Sequence, residues 1–366
     1  MKQWLETHQV LEALAASIRT RTPAALATVV RVHGSAYRHE GAKLLVRGDG
    51  TWAGNVSGGC LEADVREVAL QVIANGIAER RTYCGGSDEI SAWDLGVGCD
   101  GEVEILIEPV RTARDAERGA MQDETSFVVV TRLSDGAAAG ECARMLIRND
   151  KEHGTLGDAA LDATVRDAVW SWALRGASHL QEVGDVTLFV DVLQPPSRLV
   201  VVSAGDDARV LARLASDVGF RVVTVDRRPA LLDAARFPAS VRLVETDAAR
   251  LTERLVLDAE CFAVVMTHDF ADDTEYLRAL LHTPVRYIGV LGPRQRTERM
   301  LARLESDMPI DRTRIYGPVG LDIGTDGAEQ VALAVVAEIL AVKSGRRPQS
   351  LRDRRVPIHA SNGTTV

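Results

Sequence analysis

The chain has 366 residues, enough for two or three domains, and its 46% hydrophobic and 26% charged content is that of a folded globular protein rather than a disordered or membrane-spanning one. Its longest apolar run, between Val331 and Val342, is broken by Glu338 and falls short of the ~18 residues needed to cross a bilayer. The net charge of −9 disfavours non-specific nucleic-acid binding; an N-terminus without an apolar leader, and five cysteines without a Cys-x-x-Cys pair, point to the cytoplasm, reduced thiols and no zinc site.

The first expected element is a helix over residues 3–19. From residue 26 the chain repeats itself: residues 26–76 and 126–176 align almost without gaps. Ala27-Thr28-Val29-Val30-Arg31 matches Phe127-Val128-Val129-Val130-Thr131, and Lys43-Leu44-Leu45-Val46-Arg47 matches Arg144-Met145-Leu146-Ile147-Arg148. Gly54 matches Gly154, and Leu61-Glu62-Ala63 matches Leu161-Asp162-Ala163. Period-two alternation marks strands, while the spacing of Leu61, Val65, Val68 and Val72 marks one buried helix face. Each copy reads strand, turn, strand, turn, helix, with a further strand at 103–109 and 189–195. Residues 1–195 are therefore expected to form a duplicated α+β region (26–109 and 126–195), ending in the linker Gln194-Pro195-Pro196-Ser197.

From residue 198 strands and helices alternate, the pattern of a parallel sheet with right-handed crossovers. Strands are expected at 199–203, 221–226, 241–246, 262–267 and 287–291, and helices at 208–217, 249–257, 273–281, 297–305 and 328–343. The fold class is thus α/β: the duplicated α+β region, then a Rossmann-like doubly wound parallel sheet over 198–345, whose ligands would sit at the carboxyl ends of the strands. Residues 346–366 form a basic tail; from Lys343 onward there are six basic residues and one acid, a candidate lid or partner contact.

The duplication supplies an internal control, because a feature present in one copy alone is not required for folding. Copy one has Ser57-Gly58-Gly59-Cys60 where copy two has Gly157-Asp158-Ala159-Ala160. A thiol at a helix start, with Gly58 and Gly59 exposing main-chain N–H groups, suits an anion site; the alternative is a small apolar thiol in the core. His33 and Arg38, in the preceding turn of copy one, are further candidate donors or simply solvated loop residues. Copy one also carries a glycine-dense insertion, Leu95-Gly96-Val97-Gly98-Cys99-Asp100-Gly101, in which Cys99 is either a site residue or part of a turn.

In the second half, Ser203-Ala204-Gly205-Asp206-Asp207-Ala208 stands where a dinucleotide fold wants Gly-x-Gly-x-x-Gly or Ala, and two acids stand where a pyrophosphate would bind. Asp226, 21 residues after Gly205, has the position of a ribose-binding acid. NAD(P) is therefore possible but poorly supported. His268 and Asp269 follow the fourth strand, and Arg294 and Arg296 follow the fifth at a helix start, where an anionic ligand would explain two guanidinium groups. A glycine-rich loop containing Asp322 precedes the last helix.

Taken in order, these motifs resemble the xanthine dehydrogenase accessory (XdhC/CoxI) family of molybdenum cofactor maturation proteins. The resemblance rests on Gly34-Ser35-Ala36 to Gly41-Ala42-Lys43, Gly58-Gly59-Cys60-Leu61-Glu62, Leu95-Gly96-Val97-Gly98-Cys99, Thr267-His268-Asp269, Tyr287-Ile288-Gly289-Val290-Leu291-Gly292 and Pro318-Val319-Gly320-Leu321-Asp322-Ile323-Gly324. It implies a protein that binds the molybdopterin-type cofactor, holds it while its terminal sulfur is installed and delivers it to a molybdenum hydroxylase such as xanthine dehydrogenase. The implied partners are the apo-hydroxylase, a cysteine desulfurase and a second copy of the chain. It also implies a maturation chaperone rather than a catalyst, with no nucleic-acid or membrane partner. Two departures stand out: the family's usual Gly-Ala-Gly-His turn is Ser203-Ala204-Gly205-Asp206 here, and its frequent Cys-Gly-Gly is Cys99-Asp100-Gly101. A nicotinamide-dependent oxidoreductase and a scaffold without cofactor are the competing readings.

Overall fold

The protein is described from a computed structural model, which covers residues 2–34, 36–84, 102–133, 138–149, 151–174 and 176–353. Contacts divide the described chain into two compact units, Lys2–Pro195 and Pro196–Asp353. The division falls between the two prolines of the expected linker.

The N-terminal unit begins with α1 (Lys2–Thr20), followed by β1 (Ala24–His33), β2 (Lys43–Arg47), β3 (Trp52–Gly54), α2 (Glu62–Asn75), β4 (Ile77–Cys84) and β5 (Glu102–Pro109). A short helix α3 (Asp115–Gln122) leads into β6 (Phe127–Arg132), β7 (Ala138–Ala139), β8 (Arg144–Arg148), β9 (Lys151–Thr155), α4 (Ala159–Ala173), β10 (His179–Val183) and β11 (Val186–Leu193). One sheet runs β3-β2-β1-β5-β4-β7, and the other, written in the matching direction, runs β9-β8-β6-β11-β10. Apart from β7 the two orders are the same, so the sequence repeat is also a repeat of topology. Helix α2 buries Val65, Val68 and Val72 against Ala25, Ala27 and Val29 of β1, and α4 buries Leu161, Val165 and Val169 against Val128 and Val130 of β6. Each such aliphatic side chain contributes roughly 1.5–3 kcal/mol by leaving water.

The strand pairing corrects one part of the sequence alignment. Leu44 faces Ala27 in copy one, and its equivalent Met145 faces Val130 in copy two. Ala27 therefore corresponds to Val130, three residues from the position that the gapless alignment chose. An odd shift in a strand exchanges its faces, so the gapless pairing would have put Phe127 in the helix-covered core. Phe127 instead packs with Trp4 of α1 at a ring distance of 5.9 Å.

Lys43 matches Arg144, as the sequence alignment has it, and under the corrected register Glu108 matches Asp191. These groups pair crosswise between the copies: Lys43 of copy one with Asp191 of copy two, and Arg144 of copy two with Glu108 of copy one at 2.6 Å. Arg114 adds a second buried guanidinium at 2.8 Å from Glu108. Burial alone would raise the Glu108 carboxyl, but Arg144 and Arg114 bring it down to about 2.

The second unit consists of β12 (Arg198–Val202), α5 (Asp206–Asp217), β13 (Arg221–Asp226), β14 (Arg242–Glu245), α6 (Leu251–Arg254), β15 (Cys261–Val265), α7 (Phe270–Leu281), β16 (Tyr287–Val290), α8 (Arg294–Glu305), β17 (Ile315–Tyr316) and α9 (Gly327–Ser344). All its strand pairs are parallel, in the order β14-β13-β12-β15-β16-β17. One face is covered by α5 and α9, the other by α6, α7 and α8. This is the doubly wound Rossmann arrangement, and its strand order reverses between β12 and β15. There the first turns of two outgoing crossovers diverge and leave a crevice. The helix expected over 249–257 shortens to α6, within which only Leu251 is buried.

Candidate functional sites

Each unit gathers one group of the residues singled out by sequence. In the N-terminal unit these lie on two neighbouring loops of copy one, β1–β2 and β3–α2, brought together where the Tyr37 ring lies against Gly58. The β3–α2 loop is held from within by Ser57 and Glu62. Ser57 Oγ accepts from Gly59 N at 3.1 Å and Leu61 N at 3.0 Å and donates to Glu62, whose other oxygen accepts from Ser57 N at 2.9 Å and Val56 N at 3.2 Å. Burial pushes the Glu62 carboxyl up, yet these bonds outweigh it and leave the group below its ordinary value.

Copy two builds its corresponding loop differently. Asp162 takes the anchoring role of Glu62, accepting from Leu156 N and Thr155 Oγ1. In addition Asp158 caps α4, accepting from Ala160 N and Leu161 N at 2.8 and 3.1 Å. The equivalent of Asp158 in copy one is Gly58, which has no side chain to cap with, and α2 begins later, with Leu61 at its N-cap position making no side-chain cap. The N–H groups of Gly58 and Cys60 have no partner among the described residues, and Gly58 and Gly59 are exposed. Of the two N–H groups that Asp158 caps in copy two, the equivalent of one, Leu61 N, is taken here by Ser57 Oγ, and the other, Cys60 N, is open to an anion. The Cys60 thiol is half-buried and packs on the copy-one core.

Arg38 is placed differently from expectation. Its guanidinium forms an ion pair with Glu6 of α1 and is largely buried, with Nε shut away from solvent without a partner. Its charge is thus already matched inside the unit. His33 ends β1, exposed and opposite Glu102. Cys99 lies outside the described residues.

In the second unit the predicted residues meet at the carboxyl ends of β12, β13, β15 and β16. At the adjacent ends of β12, β15 and β16, Ser203 (φ 155°), His268 (φ 66°) and Gly292 (φ 125°) each take a positive φ. For Ser203 and His268 this is strained backbone, of the kind a fold retains where a site requires it. His268 Nε2 lies 3.3 Å from Asp207 Oδ2, spanning the crevice where the strand order reverses. Gly205 starts α5 without a side-chain cap, and its N–H is taken by Ser203 Oγ. Asp269 caps α7 through Asp272 N at 2.9 Å.

Two of the expected ligand groups turn out to be held by the fold. Asp226 accepts from Ala204 N at 2.8 Å and from three donors of Arg228, at 2.8–2.9 Å. Burial would raise this carboxyl, but the Arg228 bonds hold it below its ordinary value, and both oxygens are occupied where a ribose would need them. Arg296 lies 2.6 Å from the fully buried Asp273, which in turn fixes Thr267 through its N–H and hydroxyl. Arg294, at the uncapped start of α8, is exposed and has no partner among the described residues. Asp322 lies in the loop before α9, which is tied down where Glu338 accepts from Gly320 N at 3.0 Å and from the Tyr287 hydroxyl.

Asp207, Asp273, Ser57 and Glu62 were not singled out in the sequence as site residues. The signal at Gly58 was visible in the repeat itself, as a glycine standing where the other copy has a capping Asp158.

Comparison with known proteins gives matches in both units. Residues 17–83 match the model of the XdhC and CoxI family, and residues 199–339 match the XdhC Rossmann domain. A Bacillus subtilis (strain 168) protein, named as a probable xanthine dehydrogenase subunit, is 30% identical over 343 residues, 92% of this chain and 97% of its own. The chain belongs to the XdhC and CoxI family. A second family relative, the Escherichia coli (strain K12) molybdenum cofactor insertion chaperone PaoD, is 26% identical over 324 residues, 87% of this chain and 83% of its own. A crystal structure described as a xanthine dehydrogenase from Bacillus halodurans superposes with a TM-score of 0.76 at 30% identity, covering 93% of this chain and 98% of that one. As in an XdhC-type fold, two antiparallel sheets with helices precede a Rossmann sheet. Among the described residues no helix is long and apolar enough to cross a membrane, and no group of His, Cys, Asp and Glu is arranged to hold a metal ion.

Proposed function

We propose that this protein binds a molybdopterin-type cofactor as cargo, shelters it during sulfuration and delivers it to a molybdenum hydroxylase such as xanthine dehydrogenase. It works by holding and handing over, with a cysteine desulfurase and the apo-hydroxylase as partners and a homodimer as the working form. The observation that carries this reading over a nicotinamide-dependent oxidoreductase is the first turn of the Rossmann unit. There Asp206 and Asp207 stand at the start of α5, and Asp226 is fully engaged by Arg228 and Ala204. A pyrophosphate would meet two carboxylates, and a ribose would find its acid occupied.

The free donors lie elsewhere. The loop before α2 offers the N–H groups of Gly58 and Cys60, and the uncapped start of α8 offers Arg294. Both suit a ligand with a phosphate and an anionic dithiolene. The near full-length likeness to PaoD, named as a molybdenum cofactor insertion chaperone, supports the same cargo.

The test is to express the protein in a cofactor-producing host and measure molybdenum and pterin per chain. Cofactor is expected in the wild type. Cys60→Ala, which restores the residue of the other copy and so keeps the fold, is expected to abolish activation of the apo-hydroxylase. Micromolar binding of NADH or NADPH with no co-purifying cofactor would turn the assignment to the oxidoreductase. Full activation by Cys60→Ala protein without cofactor binding would leave only a scaffold.

A further inference from the structure

The duplication exposes one place where the halves are built alike but filled differently. In copy two, β7 lies along the start of β4: Ala139 pairs with Ile77, Ala138 pairs with Ala78, and Gly140 N donates to Gly76 O at 2.9 Å. The twin of that start is Gly176, Ala177 and Ser178, since Glu79 faces Ile107 on β5 just as His179 faces Val190 on β11. Among the described residues no strand lies against this twin. A cavity of about 600 Å³ opens there instead, with Gln3, Val32, Glu40, Gly176, Ala177 and Val192 in its walls. That volume is in the range of small-molecule pockets.

The polar groups of the cavity define what it accepts. Glu40 is held in place because Oε1 accepts from Val32 N at 3.0 Å; Oε2 has no partner among the described residues. Gln3 is fixed by donating Nε2 to the Glu40 carbonyl at 3.1 Å, which leaves its side-chain oxygen as an acceptor. The main chain of Gly176 and Ala177, whose twins pair with a strand, also lines the cavity, with His39 and Ser178; Gly176 N is taken by Ala173 O and Ala177 O by His179 Nδ1, which leaves the Ala177 N–H without a partner among the described residues. A carboxylate facing a main-chain edge, with aliphatic Val32 and Val192 in the walls, is complementary to a 2-amino-4-oxopyrimidine ring. The ring N–H and exocyclic amine donate to the carboxylate, and the ring oxygen accepts from the Ala177 N–H.

We infer that this cavity receives the pterin end of the cargo; the choice of pterin over guanine, which shares this edge, rests on the cofactor reading above. Equilibrium dialysis of the full-length protein with neopterin and, separately, with GMP tests it. Neopterin is expected to bind and GMP to bind more weakly. Glu40→Gln still offers an oxygen to Val32 N but replaces an acceptor by a donor, and is expected to weaken neopterin at least about tenfold with thermal stability unchanged. Ala177→Trp, which fills the cavity, is expected to do the same. Absence of neopterin binding, or binding unmoved by both substitutions, overturns the inference; GMP bound with neopterin rejected overturns the pterin assignment. Wild-type protein that co-purifies cofactor, with Glu40→Gln retaining it in full, overturns the inference and leaves the accessory reading standing. Wild-type protein without cofactor overturns that reading.

Discussion

Arg294 and Arg296 look interchangeable in the sequence, two arginines at one helix start, yet they occupy opposite situations. Arg296 faces the fully buried Asp273, which also orders Thr267 at the end of the neighbouring strand, and its guanidinium lies 5.9 Å from the Phe270 ring centre. Arg294 is left exposed. Arg296→Glu would set two carboxylates together in the core and is expected to cost about 3–5 kcal/mol, measured by denaturant unfolding. Arg294→Glu is expected to leave stability within about 0.5 kcal/mol while lowering the cofactor retained per chain. Nothing in the local sequence separates the two, because the partner that distinguishes them lies 23 residues upstream on another helix. Asp226 read as a ribose acid on a different ground: its position after a strand was legible and Arg228 stood two residues on, but not that the Arg228 N–H and guanidinium fold back onto both of its oxygens. Gly58 is the opposite case, since the repeat itself displayed the acid that it replaces.

Among elements, what was legible followed burial. The buried strands of the Rossmann sheet and the long helices α1, α5 and α9 declare themselves through apolar runs or 3.6-residue periodicity, and their expected limits agree with the structure to within two residues. The strands β3, β4, β9 and β10 were not expected, because they lie at or near sheet edges; β3 is only three residues long, β4, β9 and β10 carry mostly polar residues, and every residue of β9 is exposed. Main-chain pairing holds them, and main-chain pairing leaves little trace in composition.

Two of these strands do leave a trace, in the glycine pair Gly54 of β3 and Gly154 of β9. These have φ of 89° and 90°, and a Cβ at either would run into a carbonyl oxygen, that of Lys43 or of Arg144. Gly50 has a similar φ of 80° but open space around it. Alanine at Gly50 is expected to cost about 1 kcal/mol, and at Gly54 and Gly154 clearly more, as read from urea midpoints of the three variants.

Across the whole molecule the N-terminal unit stands out for its dependence on buried charge. The Glu108 carboxyl, held down to about 2 against an ordinary 4.5, contributes stability that is complete above the ordinary value and is lost as pH falls towards 2. The shift corresponds to on the order of 3 kcal/mol. Scanning calorimetry is expected to show the transition of this unit moving to lower temperature through that window, and Glu108→Gln is expected to flatten the dependence. The two-unit plan and the Rossmann class could be read from the order of elements. The crossed pairing of the copies could not, because it depends on a strand register that the gapless alignment placed three residues away.

That crossing also bears on how the chain is made. Lys43 meets Asp191 across a sequence separation of 148, so copy one leaves the ribosome with a lysine destined for the interior and no carboxylate to receive it. At about 5–20 residues per second the wait is roughly 7–30 s. Copy one cannot complete its interior as an early autonomous module; both copies must close together once β11 has been synthesised, and a nascent chain stalled before Asp191 should remain sensitive to protease along its whole length.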